Sequence, residues 1–291
     1  MLRIKTTENA LQLLSDVRRG QWFVHDYEAL LPAALAFLRG EKLSNVSHRK
    51  LFEFSTTTAG FSTESGNKTT QPSEVAVIPI VGVISKYDSC YSYGAVTYAR
   101  SILTAAKHPD VCAIVLDIDS EGGAASAISP IKEAIEQTKA YGKPIIAHVD
   151  LCASLAYWAA SQCDAIFCDN PLSKVGSIGG YCQIIDDTGK LEKDGYKVIT
   201  VYADESGDKN LEYRQALAGD TTLLKEGLSY IVGQFQQDVK AGRPGIKADA
   251  PGVFTGAMFH PAEAQELGLI NGVMTLSECI ENAAIRATYD H

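Results

Sequence analysis

Three features of this 291-residue sequence predict an α/β fold with a largely parallel sheet, preceded by a short helical N-terminal arm. From Val75 onward, short apolar runs alternate with segments of helical periodicity, the pattern of strands crossed over by helices. Before that, Ser55 to Ser73 is rich in Ser, Thr and Gly, too polar to pack, and reads as a flexible linker. Ahead of the linker, two segments carry helical spacing. The predicted organisation is an arm over 1–54, a linker over 55–73 and an α/β body over 74–291.

Residues 8–19 place Ala10, Leu13, Leu14 and Val17 on one helical face. Residues 30–38 repeat the pattern, with Pro32 tolerable in a first turn and Gly40 able to end the helix. In the body, strands are expected at Val75 to Ile84, Val111 to Ile118, Ile145 to Val149, Ala165 to Cys168 and Lys197 to Ala203. Helices are expected near Ala95 to Ala106, Ala125 to Ala140, Ser154 to Ser161, Thr221 to Ala241 and Glu278 to Ala287.

Composition narrows the function. A formal net charge of −9 gives no basic face for nucleic acid. The charge is uneven: residues 1–73 hold nine Lys/Arg against seven Asp/Glu, which leaves −11 on the remainder. The seven cysteines include no Cys-x-x-Cys pair and read as small buried hydrophobes in a reducing compartment. No metal site or cofactor is expected. No run approaches the ~18 apolar residues of a membrane span, and the first residues lack a signal-peptide core, so a cytoplasmic location is expected.

In open α/β sheets the site gathers at the carboxyl ends of strands, and two loops lie there. The first, Asp150 to Ser154, puts a serine where an apolar strand gives way to a helix. Unpaired backbone N–H groups at a helix start favour developing negative charge, which suits a nucleophile. Ser154 in that position equally suits a plain helix cap. The second loop, Asp117-Ile118-Asp119-Ser120-Glu121-Gly122-Gly123, lacks either phosphate-binding glycine pattern. It reads as an oxyanion donor facing the serine or as a tight turn.

A serine hydroxyl needs a partner to take its proton. No histidine lies between His148 and His260, and His148 itself falls within a strand as a packed residue. Lysine is the other base, provided it is neutral through desolvation. Spacing alone does not choose among Lys174, Lys190, Lys193, Lys197 and Lys209.

From Val75 to the C-terminus, four passages resemble the S49 serine peptidase family. A strand and Ser-Pro-Gly-Gly loop is matched by Leu116-Asp117-Ile118-Asp119-Ser120-Glu121-Gly122-Gly123, with Glu121 in place of proline. An Ala-Ser-Gly-Gly-Tyr-Tyr segment is matched by Ala153-Ser154-Leu155-Ala156-Tyr157-Trp158, without the two glycines. A Gly-Ser-Ile-Gly turn is Gly176-Ser177-Ile178-Gly179. A C-terminal passage is Phe254-Thr255-Gly256 followed by Ala264-Gln265-Glu266-Leu267-Gly268-Leu269-Ile270-Asn271.

The resemblance implies a crotonase-like (ClpP-like) fold and a Ser-Lys dyad. By position, the nucleophile falls on Ser154 and the base on Lys209, with Lys174 as fallback. Backbone N–H groups of Gly122 or Gly123, with that of Leu155, would form the oxyanion hole. The acidic neighbours Asp204, Glu205, Asp208 and Glu212 oppose the neutral lysine and must face away, or the loop must order on assembly or substrate binding. The family also implies a homo-oligomer in which protomers share sites, and polypeptide substrates: scaffold and capsid proteins for phage-type members, signal peptides for others. A phage-type member would work in the host cytoplasm or assembling head. The arm and polar linker resemble the phage type, and the linker is a candidate self-cleavage site. Two other classes remain open: an acyl-CoA enzyme of the same fold using Glu121 as its carboxylate, and an inactive assembly protein.

Overall fold

The computed structural model describes residues 21–24, 53–57, 73–88, 92–184, 186 and 188–289, with the first two stretches, Ser73 and Tyr289 described by backbone alone. The expected arm helices at 8–19 and 30–38 lie outside the described residues, as does Cys90. Two short strands come first, β1 (Gln21–Val24) and β2 (Glu53–Thr57). The body continues through β3 (Ser73–Val81), α1 (Ala95–Lys107), β4 (Val111–Ser120), β5 (Gly122–Ala124) and α2 (Ile128–Ala140). Next are β6 (Ile145–Ala153), α3 (Leu155–Ser161), β7 (Ala165–Cys168), β8 (Lys174–Gly176) and β9 (Tyr181–Cys182). The remainder holds α4 (Thr188–Lys193), α5 (Leu211–Leu217), α6 (Thr222–Gly242), β10 (Met258–Phe259), α7 (Pro261–Glu266), β11 (Gly272–Val273) and α8 (Leu276–Tyr289).

The main sheet runs β10-β8-β6-β4-β3-β2, with β7 joined to β6 and β11 to β7. Every pairing in it is parallel except β2 with β3 and β10 with β8. Both faces are covered. Ile78, Ile80, Ile114, Leu116 and Ile118 pack with residues of α1, α2, α3 and α6 in one core. The alternating Val75, Val77, Ala113 and Val115 pack with Cys279, Ile280, Ala283 and Ala287 of α8 in a second. Burial on both sides explains why these strands read as unbroken apolar runs.

The central strand β6 carries the fold toward its site. Its first half, Ile146 to Val149, pairs with β7, and its second half, Leu151 to Ala153, pairs with β8. That second partner extends the strand to Ala153, beyond the Val149 limit expected from the apolar run. The strand expected at Lys197 to Ala203 is absent: the segment is irregular, with Val198, Ile199 and Val201 exposed at 61%, 73% and 85%. The segment is rich in β-branched residues, but β propensity makes a strand only where a neighbour supplies hydrogen bonds and a packing face. Pairing also reaches into the stretch read as linker, because Ser55 to Thr57 complete β2 against Val75, Glu74 and Ser73. The rest of that stretch, 58–72, lies outside the described residues.

Candidate active site

Ser154 follows the last residue of β6 and precedes α3, and its backbone sits at φ 53, ψ −117. A non-glycine residue in that region stores about 1–3 kcal/mol of strain, which only surrounding structure can hold. The restraint is visible. Ser154 N–H donates to Gly176 O at 2.8 Å, Trp158 N–H donates back to Ser154 O at 2.9 Å, and the residue is 2% exposed. Its hydroxyl makes no capping bond to the helix. Instead Oγ lies 3.5 Å from Gly179 O, a long and weak contact that leaves the oxygen available for chemistry.

The helix behind the serine is fully packed. Ala153, Ala156, Ala159 and Ala160 are at most 1% exposed, and their small side chains let α3 lie against the sheet. Tyr157 O–H donates to Leu269 O at 2.8 Å, tying the helix to the C-terminal passage. Trp158 stacks on Phe235 with ring centroids 4.6 Å apart, and its indole N–H donates to Asp238 Oδ2 at 2.8 Å. Lys132 Nζ meets the other oxygen of Asp238 at 2.7 Å. This Lys132-Asp238-Trp158 link between α2, α6 and α3 had no sequence signal, since the three residues are far apart in the chain.

The glycine loop adjoins the serine because β4 and β6 are parallel neighbours, with Ser120 in register with Cys152. Gly122 has φ 110, which disfavours a side chain. Gly123 is glycine for another reason: a Cβ there would lie 1.9 Å from Ile84 O. Ile84 N–H donates to Gly122 O at 2.8 Å and Ala124 N–H to Ile84 O at 2.9 Å, so the loop is clamped to the segment that follows β3. Ser120, which the sequence did not single out, sets the loop's shape. Its Oγ donates to Gly82 O at 2.6 Å and accepts from Gly122 N–H at 3.1 Å. Of the two candidate glycine donors, Gly122 N–H is thus already engaged.

All four sequence passages therefore meet around one serine: the glycine loop beside it, α3 behind it, the Gly176 to Gly179 turn accepting from its N–H and Oγ, and Leu269 holding Tyr157. The family description that matches this chain is Peptidase family S49, over residues 137–290. The chain belongs to Peptidase family S49. Among curated proteins, it is 25% identical over 218 residues to Protease 4 of Haemophilus influenzae, covering 73% of this chain and 34% of that protein. It is 24% identical over 193 residues to Protease 4 of Salmonella typhi, covering 66% and 31%. The match thus spans about a third of the length of these relatives. A solved structure of the membrane-bound stomatin-specific protease 1510-N is similar at 20% identity, with TM-score 0.43 over 70% of this chain and 82% of that one. A second structure of that protease, with a substrate peptide, gives 18% identity and TM-score 0.42 over 70% and 77%.

Within this S49 chain, Lys209 is exposed and lies in the turn-rich stretch just before α5. Its backbone N–H donates to Ser206 O at 3.1 Å. The stretch is pinned by Arg214, whose Nη2 donates to Gly207 O and whose guanidinium lies 4.8 Å from the Tyr202 ring centroid. Asp204, Glu205, Asp208 and Glu212 are all exposed. The fallback Lys174 is also exposed, at the start of β8. Glu121, standing where the family has proline, has an Oε2 that is buried and without a hydrogen-bond partner among the described residues. Among those residues no group of three His, Cys, Asp or Glu is placed to hold a metal, and no helix is long and apolar enough to cross a membrane. Burial pushes the thiols of Cys163, Cys168 and Cys279 up to about 12, so these groups serve as packing atoms.

His148 of β6 ties Asp117 of β4 to Asp169, the residue that follows β7. Nδ1 lies 2.7 Å from Asp117 Oδ1 and Nε2 lies 3.2 Å from Asp169 Oδ1, with the residue 5% exposed. Burial pushes the imidazole pKa down, but Asp117 and Asp169 outweigh it and the net shift is upward. A raised folded-state pKa stabilises below the unfolded value of about 6.5, and that contribution is lost as pH rises through the folded pKa. The melting-temperature gap between wild type and His148→Gln is therefore expected to be widest below about pH 6.5 and to shrink as pH rises above it. A gap that stays constant as pH rises contradicts the tie.

Proposed function

We propose that this chain is a serine endopeptidase in which Ser154 attacks a peptide carbonyl and a lysine takes its proton. The observation that carries the reading is the strained, buried Ser154, whose hydroxyl caps nothing. Strain of that kind is kept where it aims a reacting atom. Gly123 N–H and Leu155 N–H are assigned to the oxyanion, Leu155 because the first helical residue has no intrahelical acceptor for its N–H. The proton taken from Oγ passes to the leaving amine as the C–N bond breaks, and water then hydrolyses the acyl-serine.

Lys209 is the proposed base, by its position in the family pattern. A lysine accepts a proton only when neutral, and desolvation makes it so. An exposed Lys209 therefore needs a cover, and a neighbouring copy of the chain is the proposed cover. The support is the apolar surface N-terminal to it: Tyr196, Val198, Ile199 and Val201 are all more than 60% exposed. Exposed apolar groups gathered this way favour association. Polypeptides are the proposed substrates. Within that class, the trimming of scaffold or capsid proteins is supported by resemblance to the phage-type members alone.

The test is cleavage of an unfolded polypeptide by the full chain, compared with Lys209→Met. The exchange is expected to lower kcat by about 10²–10⁴-fold, the range of a positioned general base. It should not lower the melting temperature, because the lysine side chain is exposed in the single chain and its desolvation under the proposed cover is a cost that methionine does not carry. Full activity in Lys209→Met would remove the dyad, and loss of activity in Lys174→Met alone would reassign the base.

A further inference from the structure

β1 lies in a place that a substrate would need. It forms the middle strand of a separate three-stranded sheet, order β5-β1-β9. Both outer strands run antiparallel to it, with Trp22, Phe23 and Val24 in register with Ala124, Gly123 and Gly122, and with Gln21 and Trp22 in register with Cys182 and Tyr181. These outer strands belong to the two loops that surround Ser154. β5 is the glycine loop itself, and β9 follows the turn whose Gly179 O accepts from Ser154 Oγ.

A cleft edged by two unpaired strand segments binds an extended peptide through its backbone, whatever the peptide's side chains. Gly122, Gly123 and Ala124 carry almost no side chain with which to select. Here the position between β5 and β9 is taken by the chain's own Gln21–Val24, which runs toward Gly122.

Building on the peptidase reading, we propose that Gln21–Val24 is the in-chain substrate of this site and that the protein cuts itself at or just after this strand. Ser154 Oγ adds to the carbonyl carbon of that peptide bond and its proton passes to the base. The C–N bond breaks and the proton goes to the new amino terminus of the body. Water then hydrolyses the ester, releasing the arm with a free carboxylate and restoring Ser154. Until that cut, any other polypeptide must displace β1. This places the processing site in the arm rather than in the polar linker over 55–73.

Intact mass and N-terminal sequencing of the freshly purified full chain provide the test, with Ser154→Ala and Phe23→Pro alongside. Proline at 23 removes a strand N–H and opposes pairing on both sides of β1. A fluorophosphonate reports in parallel on Ser154 itself. The wild type is expected to lose the arm after Phe23, opposite Gly123, or after Val24, while Ser154→Ala and Phe23→Pro stay full length and Phe23→Pro still takes the label. A wild type that keeps its arm while its Ser154 is labelled overturns the inference and leaves the peptidase reading standing, as does Phe23→Pro cut at the same bond as wild type. Ser154 unlabelled in both wild type and Phe23→Pro overturns the two together.

Discussion

Ser154→Ala is expected to lower peptide cleavage by at least about 10³-fold, the cost of removing a covalent nucleophile from a triad-like unit. Stability should barely change, since the exchange removes only a 3.5 Å contact to Gly179 O and leaves a side chain at the same strained φ of 53. Ser154→Gly separates strain from chemistry. Glycine tolerates positive φ, so this variant should be equally inactive yet more stable than Ser154→Ala by about 1 kcal/mol. The comparison is read as a shift in denaturant midpoint at constant slope. Equal midpoints would mean the serine carries no strain. A merely capping serine would give the opposite pattern, a cost of about 1 kcal/mol on going to alanine with activity intact.

Gly123→Ala is expected to have the second largest effect, and on two readouts at once. Its new Cβ meets Ile84 O at 1.9 Å and Ile84 C at 2.6 Å, both backbone atoms that cannot swing aside. The clamp from Ile84 to Gly122 and Ala124 must open, which costs about 1–3 kcal/mol as overpacking does. The loop then moves away from Ser154. Loss of one oxyanion donor lowers kcat by about 10²–10³-fold, so kcat should fall more than the change in stability accounts for. Ser120→Ala, which removes the bonds to Gly82 O and Gly122 N–H, should move kcat in the same direction by less. Wild-type kcat in Gly123→Ala would exclude this loop from the reaction.

What the sequence made legible follows from what single residues can carry. β3, β4 and β7 were readable because burial on two faces writes itself as consecutive apolar residues, and α1, α2, α6 and α8 because one face repeats at helical spacing. β5, β8 and β9 have three residues or fewer, and each is a strand only because a partner lies beside it. β1 is the extreme case: four residues between two helical patterns, made extended by the Gly122–Ala124 and Tyr181–Cys182 edges. At the site, Ser154 and the glycine pair were visible as residue types at strand ends. The φ of Ser154 and the steric demand at Gly123 arise from tertiary neighbours, Gly176 and Ile84. Ser120, Asp238 and Arg214 went unread because their partners are remote carbonyls, an indole and a ring. Lys209 was nominated by family pattern alone, and the cover proposed for it belongs to another copy of the chain.

The central claim, that Ser154 is the nucleophile, is tested most directly by intact-mass and peptide-mapping mass spectrometry after reaction with a fluorophosphonate. One adduct per chain on Ser154, absent from Ser154→Ala, is the predicted result. An adduct on another serine, or polypeptide cleavage that persists in Ser154→Ala, would contradict it.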